Sequence, residues 1–449
     1  MPHKLPAYLL LAGLGLTALG VLPQPRATAA PSSPGRPPAA DSLDALKIVF
    51  LGSSVPYGQG ATNKVGYPSR YAAVLQQRHA AGLGPAWTTA NVSVPGDNTG
   101  KVAARWRRDL LPQRGRYVVL ALSLGNEGIH GGGQPIFEQF RRNLQALVAR
   151  ARADGRVPVV TNCYTRNDFT PEDYAFTKQL NLLLHAWAVP TVNLLGAVDD
   201  GQGHWAPGYW SDALHPNDLG HAEMSRALVP SLFDALRAGK PVPRAQPSAG
   251  LALAAGTALQ LVPEAGLHSF TQAVSFRRSG AAGRLLTLTD SLGAGSLSLD
   301  AAGSLTYASA RGGRLVGRAN GRRWHHLVLT HYYARGETVV YLDSTRVGSL
   351  PERLLVRQLT LGGAPGPAGG RYRHWLLYRA GMTADEVQAL AADSLLKSSL
   401  EVYAPLAGSL ANLAQSTNAL AQLAAPSPLP RRRKAAPQPA SRRGPGAAR

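Results

Sequence analysis

The stretch Lys47-Ile48-Val49-Phe50-Leu51-Gly52-Ser53-Ser54 decides how the first half of this chain is read. Ile48 to Leu51 are apolar without a break, and Gly52 with two serines closes the run. That pattern predicts a short buried strand ending in a sharp turn. A serine just past such a strand lies at the carboxyl edge of a sheet, where open α/β folds place their ligands. Gly58 and Gly60 keep the following loop small and close to that serine. Taken alone, Gly-Ser-Ser reads equally well as the polar end of a strand.

Outward from this stretch, residues 44–238 alternate short apolar runs with amphipathic ones. Strands are expected at 47–51, 88–94, 117–123, 157–163 and 191–194. Helices are expected at about 68–81, 100–111, 135–153, 171–188 and 218–236. The helix from Pro171 has a clean start, with Thr170 as its cap and Glu172 and Asp173 in its first turn. Such alternation predicts a parallel sheet covered on both faces. Two further stretches fall after expected strands. Asp212-Ala213-Leu214-His215 spaces a carboxylate and an imidazole three apart, so the one can hold the other and fix its tautomer. Leu122-Ser123-Leu124-Gly125-Asn126-Glu127 runs from an apolar strand into a glycine and an amide.

With these residues in view, the chain resembles the SGNH hydrolases, the esterase family also called GDSL. The resemblance covers roughly residues 45–240 and carries four motifs in the family's order. It implies Ser54 as nucleophile, Asp212 and His215 as its partners, and Ser54, Gly96 and Asn126 as oxyanion-hole donors. It also implies a flavodoxin-like three-layer α/β fold, with no cofactor and no metal. The chain departs from the family at three places. Ser53 and Glu127 stand where the family usually has Asp, and Leu124 where it has Gly. Ser53 is thereby a rival nucleophile by residue type, though not by its place in the motif.

The chemistry implied is acyl transfer. His215 would take the Ser54 proton, Asp212 would stabilise the charged imidazole, and three N–H donors would bind the oxyanion. Other candidates weigh less. His204, Asp212, His215, Asp218 and His221 lack an established metal-ligand spacing. Gly131-Gly132-Gly133 has no following Lys-Ser/Thr and reads as a loop, not a phosphate cradle. Cys163, the single cysteine, falls in an apolar run and reads as a packed thiol, and it rules out internal disulfides. Trp205, Tyr209 and Trp210 read either as sugar-stacking faces or as loop packing.

Beyond a linker at 239–250, the pattern turns to short alternating strands with glycine-rich turns, the signal of an all-β domain. Strands are expected at 273–277, 285–289, 296–300, 326–332, 339–342 and 357–361, with a closing strand at 400–406. Trp324 to Thr330, Val339 to Asp343, and Tyr372 to Trp375 followed by Met382 to Glu386 resemble the laminin-G/concanavalin-like jelly rolls. The resemblance implies a sandwich over 251–406 and a surface for glycan or cell-surface contact.

The chain has 449 residues, so two cores are the natural expectation. Residues 1–29 read as an export signal, with His3 and Lys4 before an apolar run and Ala27-Thr28-Ala29 as a cleavage site. Residues 30–43 read as a spacer. No cysteine follows the site, so no lipoprotein anchor is expected, and no other run is long enough to span a membrane. Lys and Arg number 47 against 26 Asp and Glu, a formal charge of +21. Seven of those cations stand in Arg431 to Arg449, inside an expected basic, disordered tail at 407–449. No basic stripe is interleaved with aromatics, so specific nucleic-acid binding is not expected. The combined expectation is an exported serine esterase acting on O-acyl esters, with acetyl groups on polysaccharide as the leading substrate. Two alternatives stand beside it: a lipase or lysophospholipase for longer acyl chains, and a glycan-binding adhesion protein with a decayed site.

Overall fold

Strands β1 (Asp44–Gly52), β2 (Thr88–Asn91), β3 (Gly115–Ala121), β4 (Val157–Thr161) and β5 (Thr191–Val192) lie parallel in the order β2-β1-β3-β4-β5. They come from a computed structural model that describes residues 42–254, 256–363 and 370–423. The expected signal at 1–29 and nearly all of the spacer lie outside these residues. No described helix is long and apolar enough to cross a membrane.

The apolar run of β1 is continuous because both faces of its sheet are covered. Ile48 and Phe50 join Tyr117 and Val119 against Tyr67, Tyr71 and Phe233. Val49 and Leu51 join Val118 and Leu120 against Trp106, Phe140 and Leu144 on the other side. Each such side chain removed from water contributes roughly 1.5–3 kcal/mol. The strand order reverses at β1, so a crevice opens past its carboxyl end, where Ser54 begins a short helix, Ser54–Tyr57.

The expected strands all form, but β2 to β5 stop two or three residues early. The residues just beyond them turn into the loops that carry the site. The expected helix at 218–236 is two helices, Asp218–Arg226 and Leu232–Arg237. Pro230 falls between them, where its missing N–H and its bias on the preceding residue end a helix.

After residue 250 two antiparallel sheets of seven strands face each other. Phe270, Phe276, Leu286, Leu359 and Trp375 fill the space between them, the arrangement of a jelly-roll sandwich. A second cluster, including Tyr378, Met382, Val387, Leu390 and Tyr403, seals the helix Ala384–Ala391 against the outside of one sheet. The strands Ser304–Ala308, Arg314–Arg318 and Thr345–Pro351 were not anticipated. Arg314–Arg318 is an edge strand with three exposed residues, so it lacks a buried apolar signature.

The expectation of a disordered tail from residue 407 is corrected over its first part. Leu420–Leu423 pairs with Ala258–Leu261 as the last strand of a sheet. The Lys240 ammonium gathers the carbonyls of Asn412, Ala414 and Ser416 at 3.0, 3.1 and 2.8 Å. Burial lowers its pKa, and the three acceptors compensate its lost hydration. The remainder of that expected tail, 424–449, lies outside the described residues.

The α/β portion and the sandwich share buried polar contacts. Ser399 Oγ donates to the Ala227 carbonyl at 2.7 Å and accepts the Asn193 N–H at 2.8 Å. Glu386 closes the capping box of its own helix through Thr383 and also receives Asn193 Nδ2 at 3.1 Å. His185 Nε2 lies 3.2 Å from the same carboxylate oxygen. Removing that buried carboxylate strands partners on both sides. Glu386→Ala is therefore expected to lower unfolding free energy by about 3 kcal/mol. Urea melts followed by tryptophan fluorescence measure this, and a loss under about 0.5 kcal/mol would contradict the role given to Glu386.

Candidate active site

Ser54 stands at the first position of its helix, directly after β1. Its neighbour Ser53 is wholly buried, while Ser54 is 8% exposed and faces an imidazole. Ser54 Oγ lies 3.1 Å from His215 Nε2. His215 Nδ1 lies 2.9 Å from both carboxylate oxygens of Asp212. That contact assigns the ring proton to Nδ1 and leaves Nε2 free to accept from Ser54. Asp212 Oδ1 also accepts the N–H groups of Leu214 and His215, at 2.8 and 3.0 Å. Partial burial raises the Asp212 pKa, but the bonds from His215 and Leu214 outweigh it and hold the carboxyl below its usual value.

Local sequence shapes the loop that presents this pair. A backbone bridge joins Trp210 to Pro216, and Ser211 N–H reaches the His215 carbonyl at 3.0 Å. Asn217 then caps the helix Asp218–Arg226 by accepting from Leu219 and Gly220. Gly60 passes beneath with φ +88, where a Cβ would come within 2.2 Å of the Pro216 carbonyl. Only glycine lets the loop after Ser54 and the histidine loop approach this closely.

The expected oxyanion residues follow the neighbouring strands. Gly96, at φ +77, sits in a turn closed by Asp97 N–H on the Val94 carbonyl at 3.2 Å. Its own N–H makes no hydrogen bond among the described residues. Asn126, in the helix Leu124–Glu127 after β3, donates one amide hydrogen to the Asp97 carbonyl at 3.0 Å and keeps the second. The Ser54 N–H is one of the donors that a helix start leaves without an intrahelical acceptor.

Residue patterns did not single out Arg105, and they named Glu127, Leu124 and His221 without the bracing roles that these residues hold. Arg105 is buried and its guanidinium bonds the Asp97 carboxylate, the Val92 carbonyl at 2.6 Å and the Gly52 carbonyl at 3.2 Å. It therefore ties the end of β1 to the turn that carries Gly96. Glu127 accepts Thr99 N–H at 2.9 Å and Gln139 Nε2 at 3.2 Å, using its extra methylene to reach the same loop. Leu124 fills the core where the family has glycine. His221 is buried between the Tyr67 N–H at 3.2 Å and the Gln59 carbonyl at 2.9 Å. Desolvation pushes its pKa down to about 4, so it stays neutral while bracing the loop after Ser54.

The other expected candidates are accounted for. Asp218 binds Thr62 and Arg70, and His204 faces Asp200. Cys163 is buried, and desolvation raises its pKa to about 12. Trp205 is buried, stacked on Tyr164, with its N–H on the Ala213 carbonyl at 3.2 Å. Tyr209 packs on Ala334 of the sandwich. Trp210 alone remains open, 44% exposed.

Residues 50–223 match the family described as GDSL-like Lipase/Acylhydrolase. No curated protein matches the chain. Among solved structures, a catalytic mutant of an acetylxylan esterase from Geobacillus stearothermophilus is 16% identical, with 40% of this chain and 91% of that one covered at a TM-score of 0.34. A GDSL-like lipase from Bacteroides thetaiotaomicron is 15% identical, with coverages of 40% and 84% and a TM-score of 0.32. An alpha/beta hydrolase enzyme from the metagenome of Lake Arreo is 20% identical, with coverages of 42% and 94% and a TM-score of 0.33.

The buried histidine has a measurable consequence. In the unfolded chain His221 gains a proton below about pH 6.5, but in the fold only below about 4. Between those values the folded state binds fewer protons, so stability falls as the pH drops from 6.5 towards 4. His331, which burial pushes down to about 3, acts in the same direction. Asp199, which burial raises to about 6, opposes both, because its contribution fades as the pH rises through 6. His221→Asn is expected to flatten the stability slope between pH 6.5 and 4 by up to about 1.4 kcal/mol per pH unit. Urea melts at several pH values measure it, and equal slopes in both proteins would refute the assignment.

Proposed function

With a GDSL-like lipase/acylhydrolase domain at residues 50–223, and hence an ester-hydrolysing hydrolase, as the premise, we propose that Ser54, His215 and Asp212 form its catalytic unit. The 3.1 Å contact between Ser54 Oγ and His215 Nε2, backed by Asp212, is the observation that carries this reading. His215 Nε2 takes the Ser54 proton as Oγ attacks the ester carbonyl, and Asp212 stabilises the imidazolium that results. Developing negative charge falls on the carbonyl oxygen, to be met by the N–H groups of Ser54 and Gly96 and the free amide hydrogen of Asn126. The proton then passes to the leaving alcohol, and water activated by His215 releases the acid.

The substrate class is proposed as O-acyl esters borne on polysaccharide, acetyl groups first, handled outside the cytoplasm after removal of an export signal at residues 1–29. The openness of the site supports a bulky alcohol component. Asp212 is 53% exposed and Trp210 stands in solvent beside the His215 loop, so a polymer meets no deep channel. Exposed Val94 and Leu214, two residues before Gly96 and one before His215, favour a second reading in which a longer acyl chain lies along them.

Nitrophenyl esters of rising chain length, beside acetylated xylan, distinguish the two. Ser54→Ala is expected to abolish turnover by several orders of magnitude, and Asn126→Ala to reduce it roughly 10²–10³-fold. Full activity in Ser54→Ala would remove Ser54 as nucleophile. A long-chain optimum with no acetate release from the polymer would replace the first substrate reading with the second.

A further inference from the structure

Two adjoining cavities, of about 530 and 360 Å³, lie between one sheet of the sandwich, the helix Ala384–Ala391 and the segment 245–249. They share Ser275, His326, Arg373 and Asp393, and no residue of the Ser54 site lines either. The size suits a ligand of one or two rings.

The backbone here is built to aim side chains inward. The strand Gly370–Tyr378 pairs regularly with Phe270–Arg278 as far as Arg373, then shifts register before Leu376. Within the shift His374 adopts φ +53 and its N–H turns to the Pro405 carbonyl at 3.2 Å. In a regular strand consecutive side chains point to opposite faces. Arg373 and His374 instead line the same cavity, the kind of redirection a bulge achieves. Asp393, across the cleft, is also held in left-handed backbone, at φ +59. Asp tolerates that region, and here it closes the C-terminus of the helix Ala384–Ala391, with Ser394 N–H on the Ala389 carbonyl at 3.1 Å.

The cleft holds donors without a partner beside one carboxylate, Asp393. The Arg373 guanidinium carbon lies over the Trp324 ring, 4.5 Å from its centre, and the group makes no hydrogen bond or ion pair among the described residues. Its Nε is buried. His326 Nδ1 meets Ser275 Oγ at 3.2 Å, while its Nε2 is buried without a partner. Burial pushes the His326 pKa down to about 4, assisted by His374 and Arg373 and opposed by Asp393 and Asp343, so the ring is neutral. A stacked, half-buried guanidinium with a free edge matches a carboxylate's two oxygens. Asp393, which forms no ion pair among the described residues, sits where it can take hydroxyl groups.

We propose that this cleft binds a polyhydroxy carboxylate of the sugar-acid class, with its carboxylate on Arg373 and His326 and its hydroxyls on Asp393 and His374. The site is separate from ester hydrolysis and does not rest on the assignment of Ser54.

Titration calorimetry with D-glucuronate tests it, beside glucose, which lacks the carboxylate, and inorganic phosphate, which lacks the ring. Glucuronate is expected to bind at least about tenfold more tightly than either, because the site pairs a charge contact with hydroxyl contacts. Arg373→Gln is expected to weaken glucuronate about tenfold or more, with nitrophenyl acetate hydrolysis unchanged. Should that variant not fold, His326→Ala carries the same expectation. No glucuronate binding by the native protein overturns the proposal, as does an unchanged affinity in a folded variant. Glucose binding equally well removes the role of Arg373, and phosphate binding equally well removes the sugar component.

Discussion

The guanidinium of Arg105 is the constraint on which the candidate site depends. It is buried against the Asp97 carboxylate and also donates to the carbonyls of Val92 and Gly52 and to the Asp109 carboxylate. Those carbonyls belong to the ends of adjacent strands, and Gly52 comes two residues before Ser54. The Asp97 carbonyl in turn receives Asn126. One cation therefore fixes the spacing between the Ser54 turn, the Gly96 turn and the helix that carries Asn126. A buried charge held this way is costly to unpair, which makes the arrangement stiff. Stiffness is what an oxyanion site needs, since donors that reorganise during reaction stabilise little.

The histidine loop is held from a different direction. It leaves β5 through Asp199, whose carboxylate accepts the Tyr174 hydroxyl at 2.8 Å. Arg335, from the sandwich, lies over Tyr332 and reaches the Asp200 carbonyl at 3.2 Å. Tyr209 rests on Ala334 of the same hairpin. Two glycines, Gly196 and Gly381, meet so closely that a Cβ on Gly196 would fall within 2.0 Å of the Gly381 carbonyl. The sandwich thus supports the segment that ends in Asp212 and His215.

The three departures from the family's usual residues now have physical content. Ser53 is wholly buried and makes no hydrogen bond to His215 among the described residues, whereas Ser54 does. Leu124 adds to the core instead of removing a donor. Glu127 reaches further than Asp and ties its helix to Thr99 in the Gly96 loop. The substitutions changed the bracing of the site and left its proposed reacting groups in place.

Ile48 to Leu51, the strand-helix alternation and the order of Ser54, Gly96, Asn126, Asp212 and His215 were legible from the chain itself. The first two rest on local periodicity, which acts within a few residues, and the order of the five residues was read through the resemblance to the SGNH hydrolases. The edge strand Arg314–Arg318 was not legible, because one exposed side erases the apolar signal. The strand Leu420–Leu423 was hidden for a related reason: its partner residues are 159 to 165 positions away and its own composition resembles a tail. Arg105, Glu127, His221 and Lys240 carry no motif, since a buried polar residue looks like a surface one until its acceptors arrive from elsewhere in the chain. The turn at His374 belongs to the same class, as a register shift is a property of two strands and not of one. Sequence by itself determined which residues stand at the strand ends. Tertiary structure alone decided which distant partners satisfy their charges and hydrogen bonds, because burial makes those bonds obligatory and only the fold determines what is buried together.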